Sequence, residues 1–96
     1  MARYVLLLNW TDQGVRAAKD TVKRAAAARQ AFGKAGAKLH QVFWTLGAYD
    51  LVMIAEAPSD EVITALSLQV GQLGNVRNCT LRAFDEREME QILTKV

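Results

Sequence analysis

The sequence predicts an α+β domain of the ferredoxin-like kind: a β-α-β-β-α-β order, a four-stranded antiparallel sheet and a short C-terminal helix. Three observations point there. Four short runs are rich in Val, Leu, Ile and aromatics and have the length of strands. The segments after the first and third runs carry apolar residues at spacings of three and four, the period of a helix lying on a core. Only the second and third runs are joined by a tight Gly-containing link, the mark of a hairpin. The 96 residues make one domain, spanning 1–96.

The first strand is Arg3 to Trp10. Thr11 or Asp12 caps the helix that follows, which runs to about Ala35 with Val15, Ala18, Val22, Ala25 or Ala26 and Phe32 as its apolar stripe. Gly33 and Gly36 bracket its end. Lys38 to Leu46 is the second strand, Gly47-Ala48 the turn, and Asp50 to Ala57 the third strand. Pro58 stops that strand and Ser59 caps a second helix, with Asp60 and Glu61 in its first turn. This helix is expected to bury Val62, Ile63, Leu66, Val70 and Leu73, and to end at Gly74-Asn75. Val76 to Phe84 is the fourth strand. Asp85 and Glu88 have capping-box spacing, with Asp in place of Ser or Thr, for a last helix carrying Met89, Ile92 and Leu93.

Composition bounds the function. The chain is 51% hydrophobic and 23% charged, as in ordinary globular proteins. No stretch has the roughly 18 uninterrupted apolar residues of a membrane span. "VLLLNW" near the start is too short for a signal core and has no small-residue cleavage site after it, so a cytoplasmic location is expected. One cysteine, Cys79, excludes an internal disulfide and a Cys-based zinc site, and its place among apolar neighbours predicts a buried, inert thiol. The net charge of +2 is split. Residues 1–48 hold eight Lys and Arg against two acids; residues 49–96 hold four against eight. Such a split suits contacts between copies of the chain. Nucleic acid is not the expected partner, because the aromatics do not interleave with the cations as a stacking platform requires.

With Gly47-Ala48 as a two-residue loop, Leu46 faces Tyr49, Thr45 faces Asp50, Trp44 faces Leu51 and Phe43 faces Val52. Strict alternation then gathers His40, Val42, Trp44, Leu51, Met53 and Ala55 on one face, and Gln41, Phe43, Thr45, Asp50, Val52, Ile54 and Glu56 on the other. Both faces are apolar in the middle, yet two helices cover only one side of a four-stranded sheet. A second copy packed face to face is the least costly cover for the other side. A homodimer or larger homo-oligomer is therefore expected, its paired sheets enclosing a barrel-like cavity.

The segments "NWTDQGVRAAKD", "WTLGAYDLVMIAEAPSDE" and "GNVRNCTLRAFDEREMEQIL" together resemble the GYD-domain family across nearly the whole chain. The motif reads Gly47-Ala48-Tyr49-Asp50, a G-x-Y-D form with one inserted residue. The resemblance implies a ferredoxin-like fold related in shape to dimeric α/β-barrel proteins. It implies no activity and carries over no catalytic residue; Gly47, Tyr49 and Asp50 are family features.

The candidate ligand-binding residues are Asn9, Thr45, Tyr49, Asp50 and Arg82, placed in a pocket on the open sheet face. Arg82 is expected there with Thr80 and Asn78, leaving Cys79, Leu81 and Ala83 on the apolar side. As a partly buried carboxylate, Asp50 becomes a proton acceptor; hydrogen-bonded to a hydroxyl or main-chain N–H, it is structural. No cofactor and no metal is expected, since a lone His40 has no second ligand at a useful spacing. Asn9, Trp44 and His40 mimic the residue types of haem-degrading barrels, but His40 lies on a strand where that type has a helical histidine. The Thr11-Asp12-Gln13-Gly14 loop leads into a helix N-terminus that favours an anion, without the multi-glycine pattern of a phosphate loop. The functional expectation is a self-associating module that binds a small molecule or regulates through it. A cofactor-independent oxygenase or isomerase is the alternative, with Asp50 or His40 as base and Asn9 or Arg82 steadying negative charge. An assembly subunit without ligand is the third.

Overall fold

The computed structural model describes residues 1–96 and has the expected order. β1 is Ala2–Trp10, α1 Asp12–Arg16, α2 Thr21–Lys34, β2 Lys38–Trp44, β3 Leu51–Ala57, α3 Asp60–Gln72, β4 Val76–Ala83 and α4 Glu86–Leu93. The strands form one antiparallel sheet in the order β2-β3-β1-β4. The two strands with alternating burial, β1 and β3, sit at its centre. Tyr4, Leu6 and Leu8 of β1 pack with Leu51, Met53, Ala55 and Ala57 of β3 under Phe32 of α2 and Ile63 and Leu66 of α3. All the buried residues of the sheet face the helices, and the other face has no cover.

The long first helix is broken. α1 stops at Arg16, Ala17 leaves helical geometry at φ −105° and ψ 34°, and a 3-10 turn at Ala18–Asp20 leads into α2. The cause is tertiary. Thr11 donates its main-chain N–H to the Asn75 carbonyl at 3.1 Å, so α1 is pinned to the loop between α3 and β4. Gly14 lies so close to that loop that a Cβ would sit 1.9 Å from the Asn75 oxygen. The break re-phases the helix. Val15 and Val22, expected inside, are exposed, and the buried positions are Gly14, Ala25 and Phe32.

The hairpin keeps its expected register from Thr45 and Asp50 inward: Thr45 N–H donates to the Asp50 carbonyl at 2.9 Å, and Trp44 pairs with Leu51 and Phe43 with Val52. The turn itself is wider than two residues. Leu46 does not pair with Tyr49 and is fully exposed. Gly47 supplies the left-handed backbone that the reversal needs, at φ +110°.

Two expected face assignments reverse. A β-bulge between Leu39 and Gln41 adds a residue to β2, so Leu39 and Val42 both turn toward the core and His40 joins the open face, against the expectation that it sides with Trp44. On β4, Leu7 pairs with Cys79 and Val5 with Leu81, which puts Cys79, Leu81 and Ala83 on the open face. Asn78, Thr80 and Arg82 lie on the helix side. There the Thr80 and Ser67 hydroxyls share a hydrogen bond of 2.9 Å, and the Asn78 amide donates to the Ser67 carbonyl at 3.0 Å. α3 thus presents a polar residue to β4, which makes the polar set the inner one. Cys79 is exposed, not buried. Leu73 is likewise exposed, past the end of α3.

α3 is capped by Ser59, whose hydroxyl accepts the Val62 N–H at 3.2 Å. α4 has the full capping box: the Asp85 carboxylate accepts the Glu88 N–H at 2.8 Å, and the Glu88 carboxylate accepts the Asp85 N–H at 3.2 Å. It buries no residue, and Met89 and Leu93 remain exposed. No helix is long and apolar enough to cross a membrane.

Candidate functional site

Four of the five candidate residues gather at one end of the sheet. β3 begins at Leu51, two residues too late to pair with Trp10 at the end of β1. The Asp50 side chain completes that ladder, accepting the Trp10 main-chain N–H at 2.9 Å, while its own N–H donates to the Leu8 carbonyl at 2.9 Å. Thr45 donates its hydroxyl to the Tyr49 carbonyl at 2.6 Å, which closes the loop on itself. Tyr49 is 37% exposed. Asn9 is the last open-face residue of β1, beside Arg77 of β4. Of the two roles open to Asp50 from sequence, this geometry is that of the structural carboxylate.

Arg82 does not join them. It pairs with Tyr4 on β4, about 16 Å along the strand from Asn9 at the usual rise, and on the opposite face. Its guanidinium lies 4.5 Å from the Phe84 ring centroid and 5.7 Å from that of Tyr4, and it donates to the Arg3 carbonyl at 3.3 Å and to Glu88 at 3.4 Å. It ties the root of α4 to the start of β1. Tyr4 beneath it donates its phenol to Asp60; burial first, and that bond second, push the phenol up to about 12.

The other sequence candidates also separate. His40 meets Glu56 at 3.1 Å on the open face, and Arg3 meets the same carboxylate at 3.2 Å. The hydrogen bond from His40, aided by Arg3, holds the Glu56 carboxyl below its ordinary range despite partial desolvation. Trp44 lies on the helix side, its indole donating to Thr21 at 3.0 Å. Asn9, His40 and Trp44 therefore surround no common centre. The loop into α1 is internally satisfied: the Thr11 hydroxyl accepts the Gly14 N–H at 3.1 Å and donates to the Gly74 carbonyl at 2.5 Å.

Two unfinished surfaces remain, one on each side of the sheet. On the open side two apolar rows run across the strands. Phe43, Val52, Leu7 and Cys79 form one; Ile54, Val5 and Leu81 form the other. On the helix side a cavity of about 330 Å³ lies between α2, α3 and the sheet. Leu8, Met53, Ala28 and Val70 supply apolar wall; Trp10 and Arg24 also line it. None of the five candidate residues does. The cavity exists because α2 turns Ala25, Ala28 and Ala31 toward α3, and side chains that short cannot fill the gap between two helices. The alanine run "RAAAAR" was its one signal in the sequence, legible only once the helix phase is known.

A family model described as a GYD domain matches residues 4–93. Among solved structures the chain is similar to that of MtbAldR (Rv2779c), with a TM-score of 0.69 and 12% sequence identity; the match covers 88% of this chain and 54% of that one. The chain thus spans about half the length of MtbAldR. It is also similar to TTHA0845 from Thermus thermophilus, with a TM-score of 0.57 and 23% identity, over 88% of this chain and 95% of that one. At these identities the likeness shows the fold. No curated protein matches the chain significantly.

Proposed function

The chain belongs to the GYD-domain family, and on that premise we propose that it is a self-associating, small-ligand-binding module. Two copies pair through their open sheet faces, and each chain holds its ligand on the helix side. The observation that carries the proposal is the sheet left unfinished on both sides. The open face presents contiguous apolar rows flanked by charge only at its ends, Arg3, Lys38, His40 and Glu56 at one and Arg77 beside Asn9 at the other. A patch of this kind marks an association surface on a folded domain. A four-stranded face with Phe43, Cys79 and Leu81 exposed on it offers the kind of area that a stable pair buries, about 800 Å² per partner. The cavity behind the sheet supports the ligand-binding half, since its volume is near the lower end of the roughly 300–1,000 Å³ of small-molecule sites.

The enzyme alternative has less support. Asp50 and His40, the two candidate bases, are already engaged by Trp10 and Glu56. Native mass spectrometry and sedimentation test the pairing. The wild-type chain is expected as a dimer or a multiple of it at micromolar concentration, and Val52→Lys, at the centre of the open face, as a folded monomer. A wild-type monomer under those conditions, or a dimer unaffected by Val52→Lys, refutes face-to-face pairing.

A further inference from the structure

The cavity between α2, α3 and the sheet carries a more specific chemistry than its apolar walls imply. Arg24 lines it and is only partly buried. Its Nη1 donates to the Ala17 carbonyl at 2.9 Å and its Nη2 to the Gly14 carbonyl at 3.1 Å. These are two of the five N–H bonds of a guanidinium, and both go to neutral acceptors. The chain's ion pairs are Arg3 with Glu56 and Arg82 with Glu88, and the His40 imidazole also meets Glu56; Arg24 has no acidic partner. The two carbonyls hold its head still, so three donors are presented from a fixed position. A second polar group in the same wall is incomplete. The Trp10 indole N–H is buried without an acceptor, the one such side-chain atom in the protein. Folded proteins rarely leave a buried donor unpaired.

We propose that this cavity binds a small amphipathic carboxylate. Its alkyl or aryl body lies among Leu8, Ala28, Met53 and Val70, and its carboxylate lies on the free N–H bonds of Arg24. Two parallel N–H···O bonds are the natural match between a guanidinium and a carboxylate. A phosphate monoester is the poorer fit, because its second negative charge would meet no second cation in the cavity lining. Exposed Gln69 and Gln72 line the same cavity and provide a polar rim toward water. The site lies across the sheet from the pairing surface, and the proposal rests on the ligand-binding half of the reading above, not on pairing.

The test is a titration of the full-length protein with octanoate and with n-octanol, read by the Trp10 indole N–H resonance and by calorimetry. Octanoate is expected to shift that resonance and to bind roughly ten-fold or more tightly than n-octanol. Arg24→Gln should erase the preference. Because Arg24 also holds the turn after α1, Ala28→Leu serves as a second variant. It fills the cavity without touching a hydrogen bond, and should abolish binding of both compounds in a protein whose circular dichroism is unchanged. Equal affinity for the two compounds overturns the carboxylate assignment and leaves a generic apolar site standing. No binding of either overturns the ligand-binding reading as well. Binding that survives Ala28→Leu overturns the location. The oligomeric mass of each variant reports separately on pairing.

Discussion

The Asp50 carboxylate accepts the main-chain N–H of Trp10 at 2.9 Å, forty residues away in the chain. β3 starts too late to offer Trp10 a backbone partner, and a side chain supplies the missing acceptor. The family feature Gly47-Ala48-Tyr49-Asp50 is thereby joined to the central strand. Gly47 permits the reversal, and Asp50 fastens its end.

If this bond is structural, Asp50→Ala should lower the free energy of unfolding by about 1–3 kcal/mol, because it leaves a partly buried N–H without its charged acceptor. Asp50→Asn keeps an oxygen in place and should lose less. Urea unfolding of both variants is the measurement. A stable Asp50→Ala protein that has lost ligand binding would instead give Asp50 a functional role.

Two glycines should respond in opposite directions. A Cβ at Gly14 meets the Asn75 main chain, which has no flexible end to move aside, so Gly14→Ala should destabilise by about 1–3 kcal/mol. A Cβ at Gly33 meets nothing, and that residue is within α2. Gly33→Ala should stabilise by roughly 0.5–1 kcal/mol. Thermal unfolding of the pair decides; equal effects would contradict the docking of α1 on the loop after α3.

The pH dependence of stability should have a named contributor at each end. The Glu56 carboxyl is lowered from its ordinary 4.5, chiefly by the hydrogen bond from His40. Its contribution is present above 4.5 and is lost as pH falls through the lower folded value. Glu56→Gln should flatten the acid limb of a plot of urea midpoint against pH. The Tyr4 phenol is raised from 10.0 to about 12 by burial and then by Asp60. Its contribution is complete below 10.0 and is lost as pH rises through about 12, so Tyr4→Phe should flatten the alkaline limb. An unchanged limb in either variant would remove that residue from the account.

Cys79 offers a test of the proposed pairing surface without any substitution. It is exposed and faces out beside Leu7, at the β4 end of an apolar row. Alkylation by iodoacetamide should slow as protein concentration rises through the dimer range, and should stay fast in Val52→Lys. A rate independent of concentration, in a protein that sedimentation shows to be dimeric, would place the interface elsewhere.

The order of elements, the two well-defined helix caps at Ser59 and Asp85, the hairpin register at Trp44 and Leu51 and the uncovered second face of the sheet were all legible in the residues. Each depends on neighbours within one element or across one turn: a capping side chain reaches three residues along, and a hairpin register follows from its loop. The errors came where a distant segment intervenes. Periodicity ran the first helix straight through Ala17, because nothing local announces that Asn75 will hold Gly14 and turn the chain. Alternation put His40 beside Trp44, because one bulged residue reverses the parity of a strand while its composition stays the same. Polarity put Thr80 and Arg82 outside, because the hydroxyl of Ser67 and the ring of Tyr4 that receive them belong to other elements. Of the five candidate residues, Asn9, Thr45, Tyr49 and Asp50 share one end of the sheet, and Arg82 does not.

By itself, then, the sequence determined the fold class and the presence of an apolar face that one chain's helices do not cover. Hydrophobic period and capping chemistry are properties of short stretches, and they survive without knowledge of the rest. Only the tertiary structure decided which side of each edge strand is inner, that Asp50 completes a ladder, and that a cavity lined by Arg24 and Trp10 lies behind the sheet. Those outcomes depend on how segments tens of residues apart meet, and a gap between two helices is a property of their packing, not of either helix alone.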